Sequence, residues 1–246
     1  MLIFSGLFFF ILGSITASAL LTWFWRAKQG KKWTVGRSLC DYCSARLPLV
    51  SLIPILGKLL IPRCPHCKNF GPWYSFVAEL SVGFAWVLVW YYSLVSNNWV
   101  TLALQLIIVT ALIIVTVFDF YWQEIPFYLL VILLIFTLIF ILLNPDSDIS
   151  LASRLVGAVA SAGFFAWQYV LSRGRWIGSA DIWLGAFLGF LFGWNTIVLV
   201  LAAGYGLAAV GSIIQLFMMR SKIPRTIPLG GFLSLSGLIF FLNKII

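Results

Sequence analysis

Charge is what this chain has least of. Only 9% of its 246 residues are charged, and just seven are acidic. Histidine is scarcer still: His66 is the only one. A lone histidine cannot by itself anchor both halves of a Ser-His-Asp or Cys-His site, which removes most hydrolase classes. The four cysteines fall in a single stretch, so no disulfide framework extends over the chain. Internal repeats, low-complexity tracts and phosphate-binding loops are lacking too.

What remains is apolar: 62% of residues are hydrophobic and the mean hydropathy is +1.06. No soluble domain tolerates such a composition. Apolar runs repeatedly reach the roughly 17–25 residues needed to span hydrocarbon. Eight spans are predicted: Leu2 to Trp25, Phe76 to Ser96, Val100 to Phe118, Phe127 to Leu143, Leu151 to Leu171, Ile177 to Trp194, Thr196 to Met219 and Gly230 to Ile246. Lipid offers the backbone no hydrogen-bond partners, so these must be helices, giving an all-α polytopic membrane protein. The first span has no positive region before it and no small-residue cleavage site after it, and is read as retained. Three parts follow: a first helix in 1–25, a cysteine-bearing loop in 26–75 and a seven-helix core in 76–246.

Lysine and arginine set the orientation. Nine of the sixteen lie between Arg26 and Lys68. Arg173 and Arg175 follow span five, and Arg220, Lys222 and Arg225 follow span seven. All these loops share one face, while the other has only Arg154, Lys244, Asp146 and Asp148. The positive-inside rule places the cysteine loop in the cytoplasm and both termini outside. The pI near 9.7 is therefore a topology signal rather than a nucleic-acid one. Trp23, Trp25, Trp33, Trp73 and Trp99 fall at predicted interfaces.

The cysteines form Cys40-x2-Cys43 and Cys64-x2-Cys67, twenty residues apart. This is the spacing of two knuckles that supply four thiolates to one tetrahedral ion, and zinc prefers that set for a structural site. The alternatives are four free thiols, kept reduced in the cytoplasm, or a redox role. His66 lies inside the second knuckle and is expected to be a loop residue, since no fifth ligand is needed.

Four carboxylates lie in or near spans, where ionisable groups are costly and point to function. Asp119 ends the third span and Asp181 lies about one turn into the sixth. Opposite span directions put both at the cytoplasmic end of the bundle, at similar depth. Two carboxylates sharing a site cannot easily both ionise, which is the arrangement an aspartic protease needs. The alternative is that each bonds its own helix end or a neighbouring Arg173 or Arg175. Glu124 is expected to be a solvated loop residue before Pro126. Glu79, one turn into the second span, is expected to line a cavity or pair with a basic loop residue. The run Gly185-x3-Gly189-x3-Gly193 would let the helix bearing Asp181 approach a neighbour closely.

Four stretches in this order resemble the type IV prepilin peptidase family, the prepilin leader peptidase/N-methyltransferases. They are Arg37-Ser38-Leu39-Cys40 to Cys43 with Leu52-Ile53-Pro54 and Cys64 to Cys67; Asp119 through Pro126; Gly178-Ser179-Ala180-Asp181, similar to the GxGD motif; and Arg225-Thr226-Ile227-Pro228-Leu229-Gly230-Gly231-Phe232-Leu233. The resemblance covers nearly the whole chain. It implies an eight-helix bundle with a small cytoplasmic zinc-binding insertion at Cys40, Cys43, Cys64 and Cys67. It implies that Asp119 and Asp181 are the catalytic pair of an intramembrane aspartyl protease. The implied substrates are type IV prepilins or pseudopilins, whose basic leader is cut off after a glycine at the cytoplasmic face of the bacterial plasma membrane. Many members then methylate the new terminus with S-adenosylmethionine. The chain carries no fingerprint for that cofactor, and its binding residues are not assigned.

The chain departs from the family pattern at four places. Ala180 replaces a glycine and Trp183 a lysine. Ile15-Thr16-Ala17-Ser18 follows Gly13-Ser14 where an asparagine is usual, and Pro62-Arg63 precedes the second knuckle. The last two fall in the part associated with methylation. Other classes remain open: a non-catalytic zinc-ribbon scaffold of a pilus or secretion system, a proton-relay transporter, and an intramembrane protease of the presenilin or preflagellin kind.

Overall fold

The computed structural model describes residues 2–28, 30, 39–40, 42–94, 98–144, 149–218 and 227–245. Trp33, Arg37, Ser38, Ser96, Asp146, Asp148, Met219, Arg220, Lys222, Arg225, Thr226 and Ile246, all invoked above, lie outside those residues. By its internal contacts the chain divides into two compact units, residues 1–94 and 95–246.

The first unit pairs two apolar helices, α1 (Leu2–Lys28) and α3 (Trp73–Ser93). Small residues set their seam. A Cβ on Gly13 would stand 2.9 Å from the Trp86 ring, and one on Gly83 would stand 2.7 Å from Ser14 Oγ. Ser14 Oγ donates to the carbonyls of Phe10 (2.9 Å) and Glu79 (3.0 Å), and the Phe9 and Trp90 rings stack at 5.5 Å. The helices are joined through the cysteine loop, which holds a 3-10 turn at Leu49–Leu52 and the short α2 (Leu56–Leu60).

The second unit comprises α4 (Trp99–Trp122), α5 (Phe127–Leu143), α6 (Leu151–Ser172), α7 (Ser179–Met218) and α8 (Leu229–Ile245). Polar residues punctuate the apolar sequence. Asn98 Oδ1 caps α4 by accepting from Val100 N–H and Thr101 N–H, and Ser150 Oγ caps α6 by accepting from Ser153 N–H. Pro126 stands immediately before α5. Gln123 (φ 52°) and Arg173 (φ 52°) turn left-handed to end α4 and α6. α5 and α8 each pack against both α4 and α7, and α6 packs against α7.

At 40 residues α7 would be about 60 Å long if continuous, twice the hydrocarbon thickness. It is broken at Gly193, whose φ of 71° and ψ of 172° are open essentially only to glycine. Contacts with α8 show that the chain reverses there. Leu188 packs on Gly237, whereas beyond the break Val200 accepts from Ser236 and Gly204 packs on Leu233. Expected spans six and seven are therefore the two arms of α7, at 179–192 and 194–218. Counting them separately, the described residues contain all eight expected apolar helices, with ends that coincide or shift by at most four residues. This is an all-α polytopic membrane protein.

Arg154 holds the reversal. The sequence reading counted it among loop charges, but it is 2% exposed. Its Nη1 donates to the carbonyls of Leu191 (2.7 Å) and Phe190 (3.3 Å), at the end of the first arm. Those carbonyls lack a next helical turn and would otherwise be unsatisfied in lipid. Trp194 N–H donates to Ser153 Oγ at 3.1 Å across the same turn.

The glycine run on the first arm faces α6. A Cβ on Gly157 would stand 2.7 Å from Gly189 O, and Ser161 Oγ donates to the carbonyls of Gly157 and Gly185, each at 2.7 Å. A Cβ on Gly189 would overlap the Gly157 backbone, whereas one on Gly163 meets nothing within 4 Å. Gly189→Ala should therefore lower the melting temperature in detergent, by overpacking worth about 1–3 kcal/mol. Gly163→Ala should leave it unchanged.

Candidate functional site

Two clusters of chemistry-bearing side chains stand out, one in each unit. In the second unit, Asp119 lies in the last turn of α4 and Asp181 in the first turn of α7. Both are buried, at 7% and 8% exposure. Each leaves one oxygen tied to a backbone N–H. Gly231 N–H, in the first turn of α8, donates to Asp119 Oδ2 at 2.5 Å. Gly178 N–H, just before α7, donates to Asp181 Oδ2 at 2.9 Å. Among the described residues neither carboxylate pairs with Arg173 or Arg175, the alternative raised from sequence.

The two carboxylates meet at Gly230. A Cβ built there would stand 2.9 Å from Asp181 Oδ1, 3.3 Å from Asp119 Oδ2 and 2.6 Å from Ile125 Cδ1. Gly230 and Gly231 thus do two jobs: the first leaves room between the acids, and the second supplies a donor. A Cβ on Gly231 would itself press on the Phe120 ring at 2.9 Å, and Phe120 packs edge-on against Phe232 at 4.8 Å. Sequence reasoning gave these glycines no role. The only signal was their place in the fourth family-like stretch.

Around this pair, Glu124 is exposed in the α4–α5 loop, as expected. Trp183 is half exposed and meets the Phe127 ring edge-on at 5.2 Å.

The first unit holds the cysteines. Two matching knuckles present them. Cys40 N–H donates to Ala45 O and Ser44 N–H to Cys40 O; Cys64 N–H donates to Asn69 O and Lys68 N–H to Cys64 O, all at 2.9 Å. Ser44 (φ 54°) and Lys68 (φ 59°) occupy the same left-handed place in each. The bridges Leu39–Arg46 and Arg63–Phe70 close the two loops.

All four sulfurs lie within 4.8 Å of one another, with Cys40–Cys67 at 3.6 Å and Cys43–Cys64 at 3.8 Å. A tetrahedron with metal–sulfur bonds of about 2.3 Å has edges of about 3.8 Å, so the set fits one ion. Cys64 is pushed down to about 6 by the N–H groups of Cys67 and His66. The Asn69 N–H pulls Cys67 the same way, but burial and the neighbouring sulfurs outweigh it and push that thiol up to about 12. Four thiolates this close need a cation between them. His66 is exposed and stands outside the cluster, as expected.

Among the described residues Glu79 is the third buried acid, at 2% exposure. Both roles suggested by sequence apply. It pairs with Lys58 at 3.1 Å, and it lines a cavity in the first unit. Lys58, which sequence reasoning treated only as loop charge, was missed because α2 gives no hint of turning toward α3.

The purified protein should carry one metal ion per chain, read by elemental analysis. Replacing any of the four cysteines by serine should abolish stoichiometric metal, and His66→Ala should retain it.

Two family models match the sequence: the bacterial Peptidase A24 N-terminal domain over residues 11–93, and the type IV leader peptidase family over residues 106–213. The first takes in the cysteines and Glu79; the second takes in both aspartates. No curated protein and no solved structure gives a significant match. Two models from one peptidase group, in order and together covering most of the chain, decide the matter: this protein belongs to the type IV leader peptidase, or prepilin peptidase, family.

Proposed function

We propose that the protein is a membrane-embedded aspartyl endopeptidase that removes the basic leader of type IV prepilins or pseudopilins. The observation that carries this reading is the convergence of Asp119 and Asp181 on Gly230, from two helices distant in sequence. Burying two carboxylates at one point in a lipid-facing bundle costs several kcal/mol, which a merely structural scaffold has no reason to spend. An aspartic dyad uses that arrangement. One member, ionised, takes a proton from water as the water oxygen attacks the scissile carbonyl. The other, protonated, polarises the carbonyl oxygen. The proton taken from water then passes to the leaving amine as the C–N bond breaks.

In this reading the cut follows a glycine at the cytoplasmic face of the bacterial plasma membrane. The excess of lysine and arginine in the loop of residues 26–75 supports that orientation. The four-cysteine cluster holds a structural zinc ion, the ion that prefers a closed set of four thiolates. The parts are a first helix in 1–25, the zinc loop in 26–75 and the peptidase core in 76–246.

A second step follows in this reading: the new terminal amine is methylated. S-adenosylmethionine, when bound, would supply the methyl group for that amine.

The test is cleavage of a purified prepilin-like substrate by the detergent-solubilised protein, read by mass spectrometry. Wild type should yield a product cut after glycine; Asp119→Asn and Asp181→Asn should yield none. Cleavage by both variants would place the chemistry elsewhere. No cleavage by folded, zinc-loaded wild type on several substrates would favour a scaffold. Gly230→Ala should reduce kcat by at least about a hundredfold, the scale of misplacing a catalytic group by an ångström. Its melting temperature should change little, because the added methyl displaces only the carboxylates and Ile125.

A further inference from the structure

The loop that carries the cysteines has two unlike surfaces. The knuckles present polar groups: Arg46, His66, Lys68 and Asn69 are all exposed. Between the knuckles, residues 47–62 read Leu-Pro-Leu-Val-Ser-Leu-Ile-Pro-Ile-Leu-Gly-Lys-Leu-Leu-Ile-Pro. Here Leu49, Leu52, Ile53, Leu56, Leu59 and Leu60 are 39–66% exposed. So many large apolar side chains on one short segment mark a surface that something covers. The single charge in the segment, Lys58, is turned onto the buried Glu79.

The position of the segment says what covers it. α2 docks beside the first turns of α3. Lys58 Nζ donates to Ser75 Oγ and to Glu79 Oε1 (3.1 Å), and Ile55 N–H donates to Glu79 Oε2 (2.8 Å). Glu79 lies six residues beyond Trp73, the first residue of that spanning helix. At 1.5 Å per residue this is about 9 Å along the helix axis. The segment therefore does not stand off past the end of α3 in solvent. It folds back alongside the helix, at the depth of about 5–10 Å to which interfacial elements sink into a bilayer. It also shares a cavity with α1 residues as far in as Ile15, whereas α1 runs on to Lys28. Trp73 itself is exposed at the start of the span, where aromatic residues mark the membrane interface.

The backbone agrees. Lipid tolerates an irregular segment only where protein satisfies its N–H groups. Ser51, Ile53, Leu56, Gly57, Leu59 and Ile61 all donate to carbonyls within the segment. Pro48, Pro54 and Pro62 have no N–H to satisfy. Ile55, at a strained φ of 62°, donates to the Glu79 carboxylate instead. A carboxylate brought to that depth needs a cation, and Lys58 supplies it. Exposed Arg46 and Arg63 flank the segment on either side, where guanidinium groups meet lipid phosphates.

We propose that residues 47–62 are a monotopic element set into the membrane leaflet beside α1 and α3. Its leucine and isoleucine side chains lie at the acyl boundary, with Arg46 and Arg63 at the headgroups. The four-cysteine module is thereby pinned to the bilayer surface at a third place, besides the two helices. This inference does not rest on the peptidase reading.

The experiment uses the full-length, metal-loaded protein in lipid nanodiscs. A ketone-bearing amino acid that takes a nitroxide, and so leaves the cysteines untouched, replaces Leu52, Leu56 or Leu60. The same label at Ile11 on α1 is the lipid reference, and at His66 the water reference. Collisions with oxygen and with a water-soluble nickel chelate are read by power saturation. The three segment positions should favour oxygen several-fold, as Ile11 does, and His66 should favour nickel. Nickel access at the segment equal to that at His66 overturns the proposal. Shelter from both reagents also overturns it, since protein, such as a second copy of this chain, would then cover the face. Because a label can disturb folding, the unmodified protein gives a second reading. Phospholipids with a diazirine on an acyl chain are photolysed in the same nanodiscs, and the adducts are mapped by mass spectrometry. Adducts should appear in tryptic peptides covering residues 47–63 as well as in α1 and α3. Adducts in α1 and α3 with none in 47–63 overturn the proposal.

Discussion

The second unit depends on one constraint: two carboxylates and the first turn of α8 occupy the same small space. Asp119 arrives at the end of one helix and Asp181 at the start of another. Gly230 lies between them with no atom to spare, and the next residue's N–H is the hydrogen bond that holds Asp119. Acids at membrane depth persist only when packing over-determines their place. Here the α6–α7 glycine seam fixes the helix bearing Asp181, the Gly193 break lets that helix start and end within the bilayer, and α8 packs against both α4 and α7.

Several other buried polar groups bond to main-chain carbonyls of neighbouring helices, because lipid provides no water to complete them. Arg154 saturates carbonyls where α7 breaks, Ser161 bonds across the α6–α7 seam, and Ser236 bonds to Val200. In the first unit Ser14 bonds across the α1–α3 seam, and Glu79 fastens the α2 segment onto α3. These bonds join segments distant in sequence, so they specify which helices are neighbours as well as satisfying backbone groups.

Much of this is legible in the sequence because hydrophobic length and charge bias are local properties. The eight apolar segments, the break after the glycine run, and Asp119 and Asp181 at span ends can all be read from short windows. The cysteine cluster is legible too, since paired C-x2-C spacing has few other uses. What was not legible is long-range. Arg154 looks like a loop charge until α7 folds back over it. Lys58 looks like one of nine basic loop residues until the Ile55 turn aims it at Glu79. Gly230 and Gly231 had no assigned role in the sequence, and their part in the site exists only when residues more than a hundred positions away arrive beside them. Spacing in one sequence records none of these meetings.

The central claim is the meeting of Asp119 and Asp181 at the α8 turn, and cross-linking tests it most directly. Cysteines would be placed at both positions in the full-length protein, in membranes, and joined with a short bifunctional thiol reagent. The linked peptides would be identified by mass spectrometry. The account predicts a 119–181 cross-link in high yield, and little of it when either position is paired instead with a cysteine at the far end of α4. Two cysteines that each react singly with the reagent but never link would contradict it.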